Sequence, residues 1–232
     1  MAVTHPFEYL GAELTLFEKA VNWKRYWSAA IEPFVRGDAL EVGAGIGANT
    51  NVLAALPHRT WTSLEPDEVL AARIPSLGPA HRRLVGTLSS LSERFNTILY
   101  IDVLEHIEDD RAEMAAAAAH LHPGGHVIVL SPAHPLLYSP FDKAMRHYRR
   151  YTRASLRAAA SATALRPVKV IYLDAAGLLA SAANRFLFSR SMPTENQIAA
   201  WDGLLVPVSR WIDPVLAHRV GKSVLGVWRR EG

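Results

Sequence analysis

The sequence predicts an α/β domain, a parallel β-sheet with helices on both faces. Three observations carry this. Short apolar, β-prone runs alternate with helical stretches at βαβ spacing. The stretch Ala39-Leu40-Glu41-Val42-Gly43-Ala44-Gly45-Ile46-Gly47-Ala48-Asn49-Thr50 passes from strand to helix through a turn with glycine at every second position. The residues able to do chemistry, Gly43, Glu65, Gly86, Asp102 and Ser131, fall at the carboxyl ends of predicted strands. That is the edge where such sheets bind ligands.

The 232 residues suit one domain, or one domain with an insertion. A formal charge of +3 is too small to argue for nucleic acid, and the densest basic spots, 146–153 and Arg229-Arg230, are short. The absence of cysteine excludes disulfides, thiolate nucleophiles and zinc–thiolate sites, and it fits a cytoplasmic enzyme. Residues 1–10 lack the build of a signal peptide. No uncharged apolar run reaches the ~20 residues of a membrane span. The nearest, 175–183, is bracketed by Asp174 and Arg185.

Residues 1–37 form a predicted helical cap, with a helix over 13–35 and Trp23, Tyr26 and Trp27 at its middle. These aromatics are candidates either for core packing or for covering a substrate. The core, 38–174, opens with the first strand and the glycine turn. A short helix over 49–56 follows, then a strand over 60–64 ending at Glu65-Pro66-Asp67, a helix, and a brief strand at Leu84-Val85 before Gly86-Thr87. A strand over 96–102 delivers Asp102-Val103-Leu104-Glu105-His106. Glu108, Asp109 and Asp110 suit a first helical turn, and the alanine run carries that helix to Leu121. Pro123-Gly124-Gly125 reads as its stop, and 126–130 as a fifth, central strand. A long loop spans 132–151; Thr152 caps a helix over 153–163, and 167–173 is the sixth strand. Residues 175–219 read as a helical insertion with breaks at Pro193, Pro207 and Pro214, and 220–232 holds the final strand.

Gly43-x-Gly45-x-x-Ala48, with Glu65 about twenty residues on, also satisfies a loose dinucleotide fingerprint. Three features favour S-adenosylmethionine over NAD. Glu41 sits inside the strand, where an acid can receive the methionine ammonium. The third glycine is Gly47, not residue 48. The last strands read as an edge pair with an insertion, not as a second βαβαβ half.

The chain resembles the class I S-adenosylmethionine-dependent methyltransferases over nearly its full length. The resemblance rests on Leu40-Glu41-Val42-Gly43-Ala44-Gly45-Ile46-Gly47, Leu64-Glu65-Pro66-Asp67, Asp102 to Asp110, Leu121-His122-Pro123-Gly124-Gly125-His126 and His147-Tyr148-Arg149-Arg150-Tyr151-Thr152, in that order. Within that family it is similar to bacterial small-molecule enzymes of the ubiquinone-biosynthesis O-methyltransferase type. The resemblance implies a Rossmann-like, seven-stranded, mostly parallel sheet with the last strand antiparallel. It implies that Gly43, Gly45 and Gly47 lie against the methionyl and ribose part of S-adenosyl-L-methionine. Glu65 would bind the ribose hydroxyls, Pro66 and Asp67 would flank the adenine, and Gly86 and Thr87 would approach its edge. Thr87 departs from the pattern, since many relatives carry an acid there. Ile101, Asp102 and Val103 would line the sulfonium end.

Methyl transfer is an in-line displacement, so positioning supplies most of the catalysis. A base is needed only for a protonated acceptor such as a hydroxyl, and histidine is its usual form. His147 is the first candidate and His106 the second; His134 lies at the same edge. Asp142 could orient a base, though nothing in the sequence pairs it with one. Tyr138, Tyr148, Arg149 and Tyr151 are candidate acceptor contacts. The competing role for Arg149 or Arg150, ion pairs with carboxylates such as Glu105 or Glu108, is favoured. No metal site is supported by spacing, since His120 and His122 lack further ligands; a carboxylate-rich Mg²⁺ site near Glu105 and Asp102 stays open. The expected partner is a small organic molecule. The insertion is a candidate lid or homodimer contact, ranked above a peripheral membrane patch. An NAD-dependent oxidoreductase is the competing enzyme class, though no Tyr-x-x-x-Lys is present. A non-catalytic cofactor-binding protein is the third reading.

Overall fold

A computed structural model describes residues 17–183 and 193–232. Seven strands form one sheet in the order β3-β2-β1-β4-β5-β7-β6. They are β1 (Asp38–Val42), β2 (Thr60–Glu65), β3 (His81–Val85), β4 (Phe95–Ile101), β5 (Leu121–Pro132), β6 (Leu165–Leu173) and β7 (Ser223–Arg230). Strands β1 to β5 run parallel to one another, and β7 runs antiparallel to both β5 and β6. This is the Rossmann-like arrangement that the resemblance implied, with its chain reversal between β1 and β4.

Successive side chains of a strand face opposite ways, and the two cores follow that alternation. Ile98, Tyr100, Val127 and Val129 point to the face covered by α4 (Asp110–Ala119) and α6 (Arg153–Ala159), through Met114 and Leu156. Leu99, Ile101, Ile128 and Leu130 point to the other face. There they meet α1 (Val21–Ile31), which brings Trp23, Trp27 and Ile31, and they meet Trp201 and Val206 of the insertion. Cap and insertion therefore share one face of the sheet.

Several predicted boundaries move. The helix expected over 13–35 is helical over Val21–Ile31, with a 3-10 turn at Glu32–Phe34; residues 13–16 lie outside the described residues. The helices α2 (Thr50–Leu53) and α3 (Glu68–Ala71) are single turns. Strand β3 begins at His81, earlier than its apolar end suggested. As a sheet edge it tolerates the polar His81-Arg82-Arg83 start. Pro123-Gly124-Gly125 does not stop a helix. The helix ends at His120, whose ring spans the carbonyls of Ala116 and Leu91, and β5 already starts at Leu121. The glycines serve an irregularity in the β4–β5 register: a Cβ on Gly125 would stand 2.9 Å from the Asn96 carbonyl oxygen. The loop after β5 contains an unforeseen helix, α5 (Pro140–Ala144), capped reciprocally by Ser139 and Asp142.

The insertion is helical where described: α7 (Ala175–Ala183), α8 (Glu195–Ala200), a π-helical turn at Trp201–Leu205, and α9 (Val206–Val215). Residues 184–192 of that predicted segment lie outside the described residues. Pro207 and Pro214 are not breaks. Pro207 follows directly on the π-helical turn, in the first turn of α9, and Pro214 is its last residue but one. Three buried aspartates fasten the insertion. Asp202 accepts from the backbone N–H groups of Asn22 and Trp23 and so caps α1. Asp213 accepts from the Tyr26 hydroxyl at 2.7 Å and from the N–H groups of Asp174 and Ala175. Asp174 accepts from the Trp201 indole at 2.7 Å and the Ser209 hydroxyl at 2.6 Å.

Candidate active site

The carboxyl ends of β1, β2, β4 and β5 meet at one edge, and the site has two halves. The first is the glycine turn. Gly43, Gly45 and Gly47 all have positive φ, at 67°, 58° and 79°. That region is costly for any residue with a Cβ. A Cβ on Gly43 would also stand 2.7 Å from a Val103 methyl, and one on Gly47 would stand 2.5 Å from the Pro75 ring. The turn is held from β2. Glu65 Oε2 accepts from the Gly45 N–H at 2.7 Å, and its Oε1 accepts from the Asp67 N–H at 3.0 Å. Burial pushes the Glu65 carboxyl up, against the pull of those two amides. Lone pairs remain on both oxygens for further donors.

Glu41 lies beneath the turn. Its Oε2 accepts from the Thr50 hydroxyl at 2.8 Å, the Ser63 hydroxyl at 3.0 Å and the Trp61 indole at 3.2 Å. Burial pushes this carboxyl up to about 7, those three bonds opposing and Glu65 adding repulsion. Asp67 caps α3 through the N–H groups of Val69 and Leu70, while Pro66 beside it is exposed. Gly86 has φ 147° and donates to the Glu65 carbonyl oxygen. Thr87 is exposed, its hydroxyl paired with Ser89 at 2.9 Å.

The second half lies at the ends of β4 and β5. Ile101 is buried, and Asp102 takes φ 55°, a left-handed geometry unusual away from glycine. The surrounding protein pushes the Asp102 carboxyl up to about 6 by desolvation, with His147 and Lys222 pulling it down; its side chain opens to solvent, and water there offsets part of the rise. Glu105 is fully buried. Its Oε2 accepts from the Ser131 hydroxyl at 2.8 Å, and its Oε1 has no hydrogen-bond partner. Burial, then repulsion from Asp102, pushes the Glu105 carboxyl well above the usual range.

Two contacts hold the His147 loop over these residues: the Tyr148 N–H donates to the Glu105 carbonyl at 2.8 Å, and Tyr151 bridges to Ala133. This brings His147 against His106, with ring centroids 4.5 Å apart and planes at 89°. His147 Nδ1 lies 3.1 Å from Asp142 Oδ1. Arg150 grips the same carboxylate bidentately at 2.7 and 2.8 Å. Burial works against the Asp142 charge, but the bonds from His147, Arg150 and Ser139 outweigh it and hold the carboxyl well below the usual range. Burial, then His147, pushes the His106 imidazolium down to about 4, against the Met145 carbonyl, which favours the protonated form, so its ring is neutral near pH 7.

The remaining predicted residues are placed as follows. Tyr138 donates to the His147 carbonyl at 2.6 Å. Tyr151 is buried and donates to Asp110 at 2.9 Å. Arg149 pairs with Asp110 at 2.8 Å and Tyr148 is exposed. The arginines therefore find carboxylates, Asp110 and Asp142, though not those anticipated. Trp23 and Trp27 are core residues, and Tyr26 is tied to Asp213. His134 stacks on Tyr172 and bonds the Gly221 carbonyl. Lys222 and the Asp142–His147 pair were missed. Lys222 stands 3.6 Å above the Trp201 ring, and burial pushes its ammonium down, against Asp174 and Asp102. With Arg150 it lines a cavity of about 480 Å³ between α5 and the insertion, whose other walls include Phe17, Leu137, Phe141 and Trp201.

A family profile described as a methyltransferase domain matches residues 18–170. No curated protein matches the chain in sequence. Solved structures share its fold at low identity. One is from the Haloferax volcanii complex between the Trm112 methyltransferase activator and a candidate methyltransferase, with TM-score 0.68, 13% identity and 100% of both chains covered. Another is the N-methyltransferase NodS from Bradyrhizobium japonicum with S-adenosyl-L-homocysteine, with TM-score 0.56, 14% identity, and 90% of this chain and 85% of that one covered. A third is an S-adenosylmethionine-dependent methyltransferase from Mesorhizobium loti, with TM-score 0.59, 16% identity, and 88% and 96% covered. Among the described residues no helix is long and apolar enough to cross a membrane.

Proposed function

We propose an acceptor for a chain that belongs to the methyltransferase-domain family and is an S-adenosylmethionine-dependent methyltransferase: a small, largely apolar organic molecule methylated on a hydroxyl or amine. The observation that carries this reading is the cavity beside the histidine half, walled mainly by aromatic and aliphatic side chains, with Arg150 and Lys222 as its cations among the described residues. Such a lining favours a small apolar ligand with one or two polar groups. The resemblance of the motifs to those of small-molecule O-methyltransferases supports a hydroxyl acceptor. The name of one structural neighbour, an N-methyltransferase, keeps the amine in view.

In this reading Gly43, Gly45 and Gly47 lie against the methionyl and ribose groups. Glu65 adds the ribose hydroxyls to the two amides it already accepts from. Pro66, Asp67, Gly86 and Thr87 surround the adenine, and Ile101, Asp102 and Val103 face the sulfonium. Glu41, whose Oε2 accepts the three bonds that fix it beneath the turn, turns its Oε1 to the methionine ammonium. The acceptor's lone pair forms the bond to the methyl carbon as the carbon–sulfur bond breaks, and its electron pair stays on sulfur. The proton of a hydroxyl acceptor departs at the histidine end, beside His147 and His106. The insertion closes the acceptor side as a lid.

Isothermal titration tests the cofactor half. S-adenosylhomocysteine binds with one site per chain and NAD does not; the reverse result overturns the reading. Methyl transfer from labelled S-adenosylmethionine to a panel of hydroxylated and amino aromatic acceptors tests the rest. No transfer to any of them, with the cofactor product bound, points to a non-catalytic binder.

A further inference from the structure

We infer that Glu105, His106 and His147 form a binding site for one divalent transition-metal cation at the carboxyl ends of β4 and β5. Their ligand atoms all lie within 4.8 Å of one another. Two of the three side chains, Glu105 and His147, are held by one atom and offer another. Glu105 is fixed through Oε2 by Ser131, and its buried Oε1 has no partner. His147 is fixed through Nδ1 by Asp142, leaving Nε2. His106 packs edge-on against His147, with ring centroids 4.5 Å apart, and brings a ring nitrogen within reach of the other two ligand atoms. Bonds of this kind, from a carboxylate or carbonyl to the far side of a histidine, are what orient metal-bound imidazoles.

The unpaired Oε1 is the observation that separates this cluster from a chance gathering. A buried carboxylate oxygen without a donor leaves its desolvation uncompensated, the more so if charged. A cation supplies the missing partner and draws off the carboxyl proton. Two imidazoles and one carboxylate suit Zn²⁺, Fe²⁺, Co²⁺ or Mn²⁺ better than the all-oxygen preferences of Mg²⁺ or Ca²⁺. Three protein ligands leave positions open for an exogenous oxygen. Sequence spacing hides the site, because His147 comes from a loop 41 residues beyond His106.

The inference rests on the methyl-transfer reading for its purpose. A cation here binds the acceptor hydroxyl, lowers its pKa and lets its proton leave to solvent. The two histidines then act as ligands and not as free bases.

Co²⁺ titration of tag-free, chelator-treated protein tests it, followed by visible absorption, with S-adenosylhomocysteine binding measured on the same sample. The expected result is d–d bands saturating at one Co²⁺ per chain and erased by Zn²⁺. E105Q and H147Q weaken Co²⁺ binding at least about tenfold, and D142N, which reaches the cluster through His147, weakens it about tenfold. Circular dichroism confirms that each variant is folded, and H106Q replaces E105Q should the latter not fold. Absent bands, or folded ligand variants that bind Co²⁺ as tightly as the parent, overturn the metal site. If the homocysteine product still binds in that case, the metal inference fails alone. If it does not bind either, the methyl-transfer reading fails with it.

Discussion

The glycine half and the histidine half of the cleft hold their carboxylates in opposite ways. Glu65 has both oxygens on backbone amides, Gly45 N–H and Asp67 N–H, so the strand end and the turn form one rigid unit. Glu105 has one oxygen on Ser131 and the other on nothing. The first half is complete as a protein structure and presents spare lone pairs at its surface. The second contains an unmet bonding demand that a ligand can answer. The difference shows where binding is pre-organised and where the structure waits for another component.

The comparison breaks most sharply at Glu65. E65A strands two backbone donors and removes two charge-assisted bonds, each worth about 1.5–3 kcal/mol. The expected outcome is S-adenosylhomocysteine affinity lower by about a hundredfold, read by calorimetry. Affinity within twofold of the parent would mean that the turn holds itself and that Glu65 is no anchor. The histidine half should respond in the other observable. D142N removes the charge that fixes His147 and pairs with Arg150. It is expected to lower kcat by about tenfold while leaving the homocysteine product's Kd within twofold. A loss in both quantities would merge the halves into one unit.

The same division explains how much could be read from the sequence. The glycine half is local. Gly43 to Gly47 are consecutive, and Glu65 follows at the end of the adjacent strand, so spacing alone locates the turn and its acid. The sheet was legible for a similar reason, since the alternation of Ile98 to Ile101 between two faces is written in the strand itself. The histidine half is assembled over distance. Ser131 meets Glu105 from the end of β5, His147 arrives from the loop, and Lys222 comes in at the start of β7. Motif reading found His106 and His147 as single candidates and could not show that they touch. Asp142 was seen without its partner, because the α5 turn that presents it depends on the Ser139 cap. Pro123-Gly124-Gly125 misled for a related reason: Gly125 answers the Asn96 carbonyl on a neighbouring strand, not the helix before it.

Gly43 gives a smaller effect that joins the halves, because its missing Cβ leaves room for Val103 next to Asp102. G43A forces a left-handed alanine against that methyl, a strain of about 1–3 kcal/mol. The expected loss of cofactor-product affinity is about tenfold. V103A in the same chain should restore part of it by removing the clash. No recovery would place the defect in the backbone conformation alone.

The smallest expected effect concerns Glu41, under the glycine turn, and it is a dependence on pH. Burial pushes its carboxyl up from 4.5 to about 7 in the folded chain. Between those values the folded state keeps a proton that the unfolded state has released. The stabilisation is therefore fully present below pH 4.5 and is lost as pH rises through 7. E41Q is uncharged throughout and lacks this slope. His106, pushed down to about 4, slopes the other way, losing stability as pH falls below the histidine range. It is present in both proteins and cancels in the difference. Denaturant melts at about pH 5 and about pH 8 should show the stability of the parent relative to E41Q falling, by on the order of 3 kcal/mol at most. A difference that rises with pH would mean that Thr50, Trp61 and Ser63 hold an ionised Glu41, and that this half too is built around a buried charge.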